Sequence, residues 1–248
     1  MLCRAAVRVA ARSARGRAAR VSVAAIALSC LAATALGAQV VIANPSLPTE
    51  ETVVYVERTG GATRMLRQDL RLHDGADGRW LELRTSTDDT DTTLRLDPST
   101  LFATRSETTQ RGADATVRRS MEVIEARSQP KSGELLVSDF ASLAFVLRGL
   151  PWATFRSARV VPVGSSGRNA SFSVQISLAG RETVTIGTNR WDCYKVQLGI
   201  DGFWGAFLGK SSYWYAVTPP HVMVRSEGPS GGPGSPVTVM ELQSYSAR

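Results

Sequence analysis

Nucleophilic catalysis would have to start from the few histidine and cysteine side chains of this chain. A Ser-His-acid triad needs a base next to a nucleophile, yet the two histidines, His73 and His221, are far apart in sequence and each borders a turn. Cys193 lies in a strand-like run, which is typical of a small buried apolar residue. A hydrolase would need Asp139 or Glu182 to pair with a histidine, and the spacing gives no reason to expect this. We therefore predict that the protein is not an enzyme.

Metal binding would need oxygen, nitrogen or sulfur ligands at suitable spacing. Asp88, Asp89 and Asp91 could offer oxygens to calcium, but they stand among threonines between two strand-like runs and predict the solvated tip of a hairpin. The chain has no Cys-x-x-Cys or His-x-x-x-His spacing to indicate zinc. We expect neither a metal nor a cofactor.

The most distinctive chemistry is apolar and lies in a glycine-spaced segment, residues 199–209. A contiguous apolar patch in a loop between two strands marks a partner, a lipid or the mouth of a cavity, unless the loop folds back and buries its aromatic rings. The side chains concerned are Phe203, Trp204, Phe207 and Leu208. Three rings follow at once in a strand-like run, and strand alternation turns one or two of them inward. These rings belong to Tyr213, Trp214 and Tyr215.

The N-terminal segment explains the positive charge of the chain. The formal net charge is +7, but six arginines lie within the first twenty residues and the first acidic residue is Glu50. Without those six of the 29 basic residues, 23 remain against 22 acidic ones, so the rest of the chain is nearly neutral. Nucleic-acid binding is therefore not expected.

This segment has the three parts of an export signal: an Arg-rich start, an apolar run over 21–36, and small residues near Gly37 and Ala43. We predict that residues 1–43 are a cleaved signal peptide or a retained membrane anchor, with lipidation at Cys30 as a third possibility. Cleavage would leave Cys193 as the sole cysteine, so the mature protein would have no internal disulfide. The predicted location is the periplasm or the cell envelope.

Period-two alternation recurs along the rest of the chain and predicts a mainly β protein. Residues 44–51 are expected to be a linker, and residues 52–248 a single β-rich envelope domain. One strand should place its apolar residues inward and its polar neighbours outward, with Phe172, Val174, Ile176 and Leu178 facing the core. Apolar residues at helical spacing over 138–148 predict one amphipathic helix, ended by Gly149 and Pro151. A strongly curved antiparallel sheet covered by this helix satisfies both patterns.

A set of short motifs resembles an uncharacterised bacterial envelope family, the domain of unknown function 3108. The motifs cover 138–143, 147–151, 180–188, 191–196, 213–215 and 224–228, in order along the chain. The resemblance implies a likeness to the periplasmic lipoprotein carriers, or LolA-like proteins, in which an open β half-barrel is closed by helices around an apolar cavity. It brings no catalytic residues.

Two functions remain open on this reading. The first is a non-catalytic envelope protein that binds a lipid or another hydrophobic ligand in the apolar interior of its sheet. The second is a structural or assembly protein of the envelope that acts through contacts with a protein partner. Membrane association would come from the N-terminal segment in either case.

Overall fold

The computed structural model describes residues 40–76, 78–112, 115–122, 131–138, 140–162, 174–200, 209–231 and 234–248. Over these residues the chain is mainly β, as the sequence predicts, and its strands form one sheet of 13 members. The strands are β1 Glu50–Thr59, β2 Ala62–Gly75, β3 Gly78–Ser86, β4 Thr90–Leu96, β5 Ala103–Arg111, β6 Thr116–Glu122, β7 Glu134–Val137, β8 Ser157–Pro162, β9 Val174–Ile186, β10 Asn189–Ile200, β11 Ser211–Ala216, β12 Met223–Pro229 and β13 Val237–Ala247.

The sheet consists of two meanders joined by the two ends of the chain. Its order is β6-β5-β4-β3-β2-β1-β13-β12-β11-β10-β9-β8-β7. All neighbours are antiparallel except β7 and β8, which are parallel. The first and last strands pair at its centre, and β6 and β7 form its edges, so the ladder is open.

One face of the sheet, here called the inner face, carries the core. Alternation along β1 buries Val53 and Tyr55 there, and cross-strand partners share a face. The leucines that alternate with polar residues on β2, β3 and β4 share this face, and five of them are buried: Leu70, Leu81, Leu83, Leu94 and Leu96. These residues belong to the same buried cluster as Val160 and Ile176 in the other meander.

The strand predicted around Val174 to Leu178 is longer than expected. Val174 and Ile176 are buried and Gln175 is exposed, which confirms the predicted alternation, whereas Phe172 lies outside the described residues. The strand β9 continues to Ile186, since its pairing with β10 persists across a bulge opposite Lys195 and Val196, beside which Gly180 adopts a φ of 136°.

The helix differs from the sequence prediction in length and in burial. The α-helix α1 spans Phe140–Val146, and a 3-10 helix, Leu147–Gly149, follows it and ends at the predicted glycine. From Ser142 to Leu150, only Ala144 is not buried, so the segment is enclosed on all sides instead of along one stripe. Periodicity predicted an amphipathic helix with one exposed side, because the pattern within the helix does not show that another segment of the chain covers that side.

Part of that cover is the segment just before β1. Ile42 is buried, Ala43 N donates to Gly149 O at 3.1 Å, and Asn44 N donates to Ser99 O at 3.2 Å. The first strand begins at Glu50, two residues before the predicted start of the domain. Within the predicted linker 44–51, Asn44 is thus tied to the fold by a hydrogen bond, and Glu50 and Glu51 belong to β1. Among the described residues, no helix has the length and apolar character needed to cross a membrane.

Candidate functional site: a cavity on the inner face

A cavity of about 620 Å³ lies over the inner face of five neighbouring strands, β2, β1, β13, β12 and β11. Its volume falls within the range of about 300–1,000 Å³ that is usual for small-molecule sites. The lining residues are Glu57, Thr59, Ala62, Arg64, Ala144, Ser211, Tyr213, Met223, Ser226, Glu227, Gly228, Pro229, Ser230, Thr238 and Met240. Ala144 is the contribution of α1, so the cavity lies where the helix meets the central strands.

The strand register places the floor of the cavity in two adjacent rows of side chains. In the first row, each residue is directly opposite the next across five strands: Tyr213, Ser226, Met240, Glu57 and Arg64. The second row lies nearer the hairpin turns and consists of Gly228, Thr238, Thr59 and Ala62. Behind the first row, the bulky Tyr55, Leu242 and Tyr215 are buried and fill the interior. The cavity opens where the side chains become small.

The lining combines apolar groups with polar groups. Ala144, Tyr213, Met223 and Met240 supply apolar surface, and burial raises the pKa of Tyr213, so its phenol stays neutral.

Two polar pairs of the lining bond within the protein. Glu57 Oε1 accepts a hydrogen bond from Arg64 Nε at 2.7 Å, and the hydroxyls of Thr59 and Thr238 are 2.6 Å apart. None of the lining residues that the structure describes is a histidine or a cysteine. The described lining can surround an apolar molecule that has a polar end. No nucleophile paired with a histidine base occurs among the lining residues that the structure describes.

Gly228 shapes one side of this cavity. A Cβ built at Gly228 would lie 2.2 Å from Ser211 Oγ and 2.7 Å from Ser211 Cβ, distances that no side chain can occupy. The glycine therefore lets the end of β11 pack directly on β12.

A buried ion pair holds the helical segment against the sheet beside the cavity. Arg148 donates two hydrogen bonds to Glu51 on β1, from Nη1 to Oε1 at 2.6 Å and from Nη2 to Oε2 at 2.8 Å, and a third from Nε to Pro220 O at 3.0 Å. The side chains are 4% and 2% exposed. Tyr215 Oη adds a hydrogen bond to Ala144 O at 2.7 Å. These bonds fix the position of Ala144 in the cavity wall.

The predicted aromatic residues are separated by strand alternation. Tyr213 lines the cavity, and Tyr215 is fully buried beneath α1. Trp214 points to the opposite face, where Lys195 and Arg225 lie over its ring and its indole N–H donates to Glu182. The predicted contact residues Phe203, Trp204, Phe207 and Leu208, and the predicted lipidation residue Cys30, lie outside the described residues.

The other candidate catalytic residues are engaged elsewhere. His73 stacks on Trp80 with ring centroids 4.0 Å apart, and His221 Nδ1 lies 2.9 Å from Ala216 O, with its pKa lowered by burial. Cys193 is buried, which raises the pKa of its thiol to about 12. Glu182 is bound to Trp214 and Lys195 and to no histidine among the described residues. Asp139 lies outside them.

The acidic cluster lies where the sequence predicts, at the turn between β3 and β4. Asp89 Oδ1 accepts from Thr87 at 2.8 Å, and Asp91 forms ion pairs with Arg84 and Arg111. No group of three or more potential metal ligands occurs in the described part of the chain.

The connection after β12 contains a short glycine-serine motif. Residues 228–232 read Gly-Pro-Ser-Gly-Gly, which has the spacing of the Gly-x-Ser-x-Gly elbow of hydrolases. That elbow joins a strand to a helix, whereas Ser230 follows β12 in a connection to β13, with its N–H donating to Pro236 O at 2.9 Å. The motif therefore lacks the geometry that exposes a nucleophile.

Most of the cavity lining was not identified from the sequence. Met223, Met240, Glu57 and Arg64 lie on four strands, and alternation gives the face of each strand without saying which strands are neighbours. Arg148 carries a clearer signal, because a charged residue inside the apolar stretch 143–150 must have a buried partner.

No family model and no curated protein matches this chain. Among solved structures it is similar to a β-barrel-like protein of the domain of unknown function DUF1849 from Brucella abortus, with 9% identity and a TM-score of 0.44 over 82% of this chain and 99% of that chain. A DUF1329 family protein from Desulfovibrio piger has 11% identity and a TM-score of 0.30, over 82% of this chain and 87% of that chain.

A Bacteroides fragilis protein described as exported, with a YmcC-like fold, has 14% identity and a TM-score of 0.33 over 83% of this chain and 99% of that chain. At TM-scores below 0.5 these similarities define no function for this chain. The resemblance to the domain of unknown function 3108 stays a prediction from the sequence motifs.

Proposed function

We propose that this chain is a non-catalytic protein of the cell envelope that binds a lipid or another hydrophobic molecule in the cavity on its inner face. The observation that carries the proposal is the cavity itself. It has a volume of about 620 Å³ over the central strands and is lined by Met223, Met240 and Tyr213. Burying an apolar chain there would gain about 25 cal/mol per Å² of apolar surface removed from water.

The sheet is suited to surround such a ligand if it bends into the half-barrel that the resemblance to the domain of unknown function 3108 implies. Core residues of both meanders, from Leu94 on β4 to Val160 on β8, belong to one buried cluster together with Leu143 and Phe145 of α1. A single sheet of this width buries one face in one cluster when it wraps around the helix. The half-barrel is thus part of the proposal.

Export is supported by the leader. Arginines followed by an uncharged apolar run are the pattern that directs a chain across the inner membrane. The proposed location is the periplasm or the envelope, with the leader cleaved, lipidated at Cys30 or retained as an anchor.

The proposal is tested by filling the cavity. Ser226 lies in the cavity floor, while Ser212 is on the neighbouring strand β11 and faces the opposite side of the sheet. We expect the unmodified chain, stripped of lipid, to enhance the fluorescence of the uncharged dye N-phenyl-1-naphthylamine. Ser226→Trp should remove the enhancement because the indole occupies the cavity, and the matched control Ser212→Trp should retain it.

Circular dichroism melts of both variants show whether each is folded. If the unmodified protein does not bind the dye, or if folded Ser226→Trp binds it as well as Ser212→Trp does, the cavity is not a binding site. Capture of a protein partner through another surface would then favour the structural or assembly role.

A further inference from the structure

We infer that the ligand of this cavity is an amphiphile with an uncharged, hydroxyl-bearing head group, of the monoacylglycerol type. The inference rests on the proposed function and specifies the chemical class of the ligand. It follows from the charges and hydroxyl groups around the cavity.

The inner-face charge at the cavity is neutralised within the protein. Glu57 and Arg64 are opposite each other on β1 and β2 and form an ion pair of 2.7 Å. The Glu57 side chain is 11% exposed and that of Arg64 is 49% exposed. The carboxylate is therefore the charge nearest the interior, while water screens the guanidinium.

The remaining charged residue of the lining points elsewhere. Glu227 accepts from Arg225 Nη2 at 2.8 Å, and Arg225 also donates to Glu241 at 2.8 Å. By register, these three residues lie on the opposite face from Ser226 and Met240. Among the described lining residues, no unpaired cation faces a carboxylate or a phosphate, and the Glu57 carboxylate, nearer the interior than its partner guanidinium, repels either one.

Hydroxyl groups supply the hydrogen bonds instead. Thr59, Thr238, Ser211, Ser226 and Ser230 surround the cavity, and each hydroxyl both donates and accepts. Thr59 and Thr238 lie in the row nearer the hairpin turns, Ser226 and Met240 share the first row, and Met223 and Ala144 lie toward the helix. A ligand with hydroxyls at one end and an alkyl chain at the other matches this division.

Displacement of the dye by three amphiphiles of equal chain length tests the inference: monolaurin, laurate and dodecylamine, each below its micellar concentration. We expect monolaurin to bind at least about tenfold more tightly than laurate, a difference of about 1.4 kcal/mol, and more tightly than dodecylamine.

Charge variants separate this effect from chain binding. Glu57→Gln keeps the shape and an acceptor for Arg64 but leaves the guanidinium uncompensated, so laurate should approach monolaurin to within about threefold. Glu241→Gln makes the same exchange on the opposite face and should leave the preference unchanged. Arg64→Gln should weaken laurate binding further and strengthen dodecylamine binding, and it keeps the test decisive if Glu57→Gln fails to fold.

The outcomes are distinct. Equal binding of laurate and monolaurin, tightest binding of dodecylamine, or dye binding that none of the three displaces would each overturn the inference while the proposed function stands. Absence of dye binding would overturn both.

Discussion

The buried pair of Arg148 and Glu51 offers the sharpest test of how the helix is held on the sheet. Arg148→Met removes the guanidinium and leaves the Glu51 carboxylate, whose side chain is 2% exposed, without its partner. Breaking such a pair costs about 3–5 kcal/mol. Because small domains are stable by about 5–15 kcal/mol, the variant should be near its folding limit.

Replacing both partners should cost much less than replacing one. Glu51→Leu alone leaves a buried guanidinium whose remaining described bond is to Pro220 O, and we expect a loss of similar size, about 3–5 kcal/mol. The double variant Glu51→Leu with Arg148→Met buries no charge, so its stability should fall by less than about 2 kcal/mol or not at all. The two single changes are therefore strongly non-additive.

Urea unfolding followed by circular dichroism measures all four proteins under one condition. The free energies of unfolding of the unmodified chain and the three variants form a double-mutant cycle. A loss below about 1 kcal/mol for Arg148→Met would mean that the carboxylate reaches water. Additive losses in the double variant would mean that the two residues do not form the pair described.

Three further predictions follow from burial. Gly149→Ala places a Cβ 2.4 Å from Ala43 O and should lower stability by about 1–3 kcal/mol, whereas Gly75→Ala meets open space and should change it by under about 0.5 kcal/mol; urea titrations compare them, and equal losses would contradict the described packing. Val174→Asp, at a buried position, should cost several kcal/mol, while Gln175→Asp on the other face should cost less than about 1 kcal/mol; equal melting temperatures would show that the face assignment is wrong. Because burial raises the pKa of the Cys193 thiol to about 12, the thiol stays protonated at pH values well below that and should resist iodoacetamide until urea unfolds the chain; rapid alkylation of the folded protein at mildly alkaline pH would contradict this.

The parts of the fold that depend on local pattern could be predicted from the sequence. Alternation assigned the inner positions Val174 and Ile176 of β9 correctly, because a one-residue error would expose a whole apolar face. The end of the helical segment at Gly149 was also predicted. A Cβ there would meet both Ala43 and Ile42, which explains why glycine stands at this position.

The parts that depend on long-range pairing could not be predicted. Periodicity says nothing about which distant strand pairs with β1, and Thr59 and Thr238 of β1 and β13 are 179 residues apart in sequence. Yet this pairing places Met240 beside Glu57. Alternation predicted that one or two rings of the aromatic run 213–215 face inward. The strand register places Tyr213 in the cavity floor.

The central claim is that the inner-face cavity holds a hydrophobic molecule, and lipid extraction followed by mass spectrometry tests it most directly. The unmodified chain, Ser226→Trp and Ser212→Trp would be purified from envelope fractions without detergent, and the bound lipid measured per mole of folded protein. We expect a defined amphiphile with the unmodified chain and with Ser212→Trp, and its loss from Ser226→Trp. No lipid on the unmodified chain, or equal amounts on both variants, would contradict the claim.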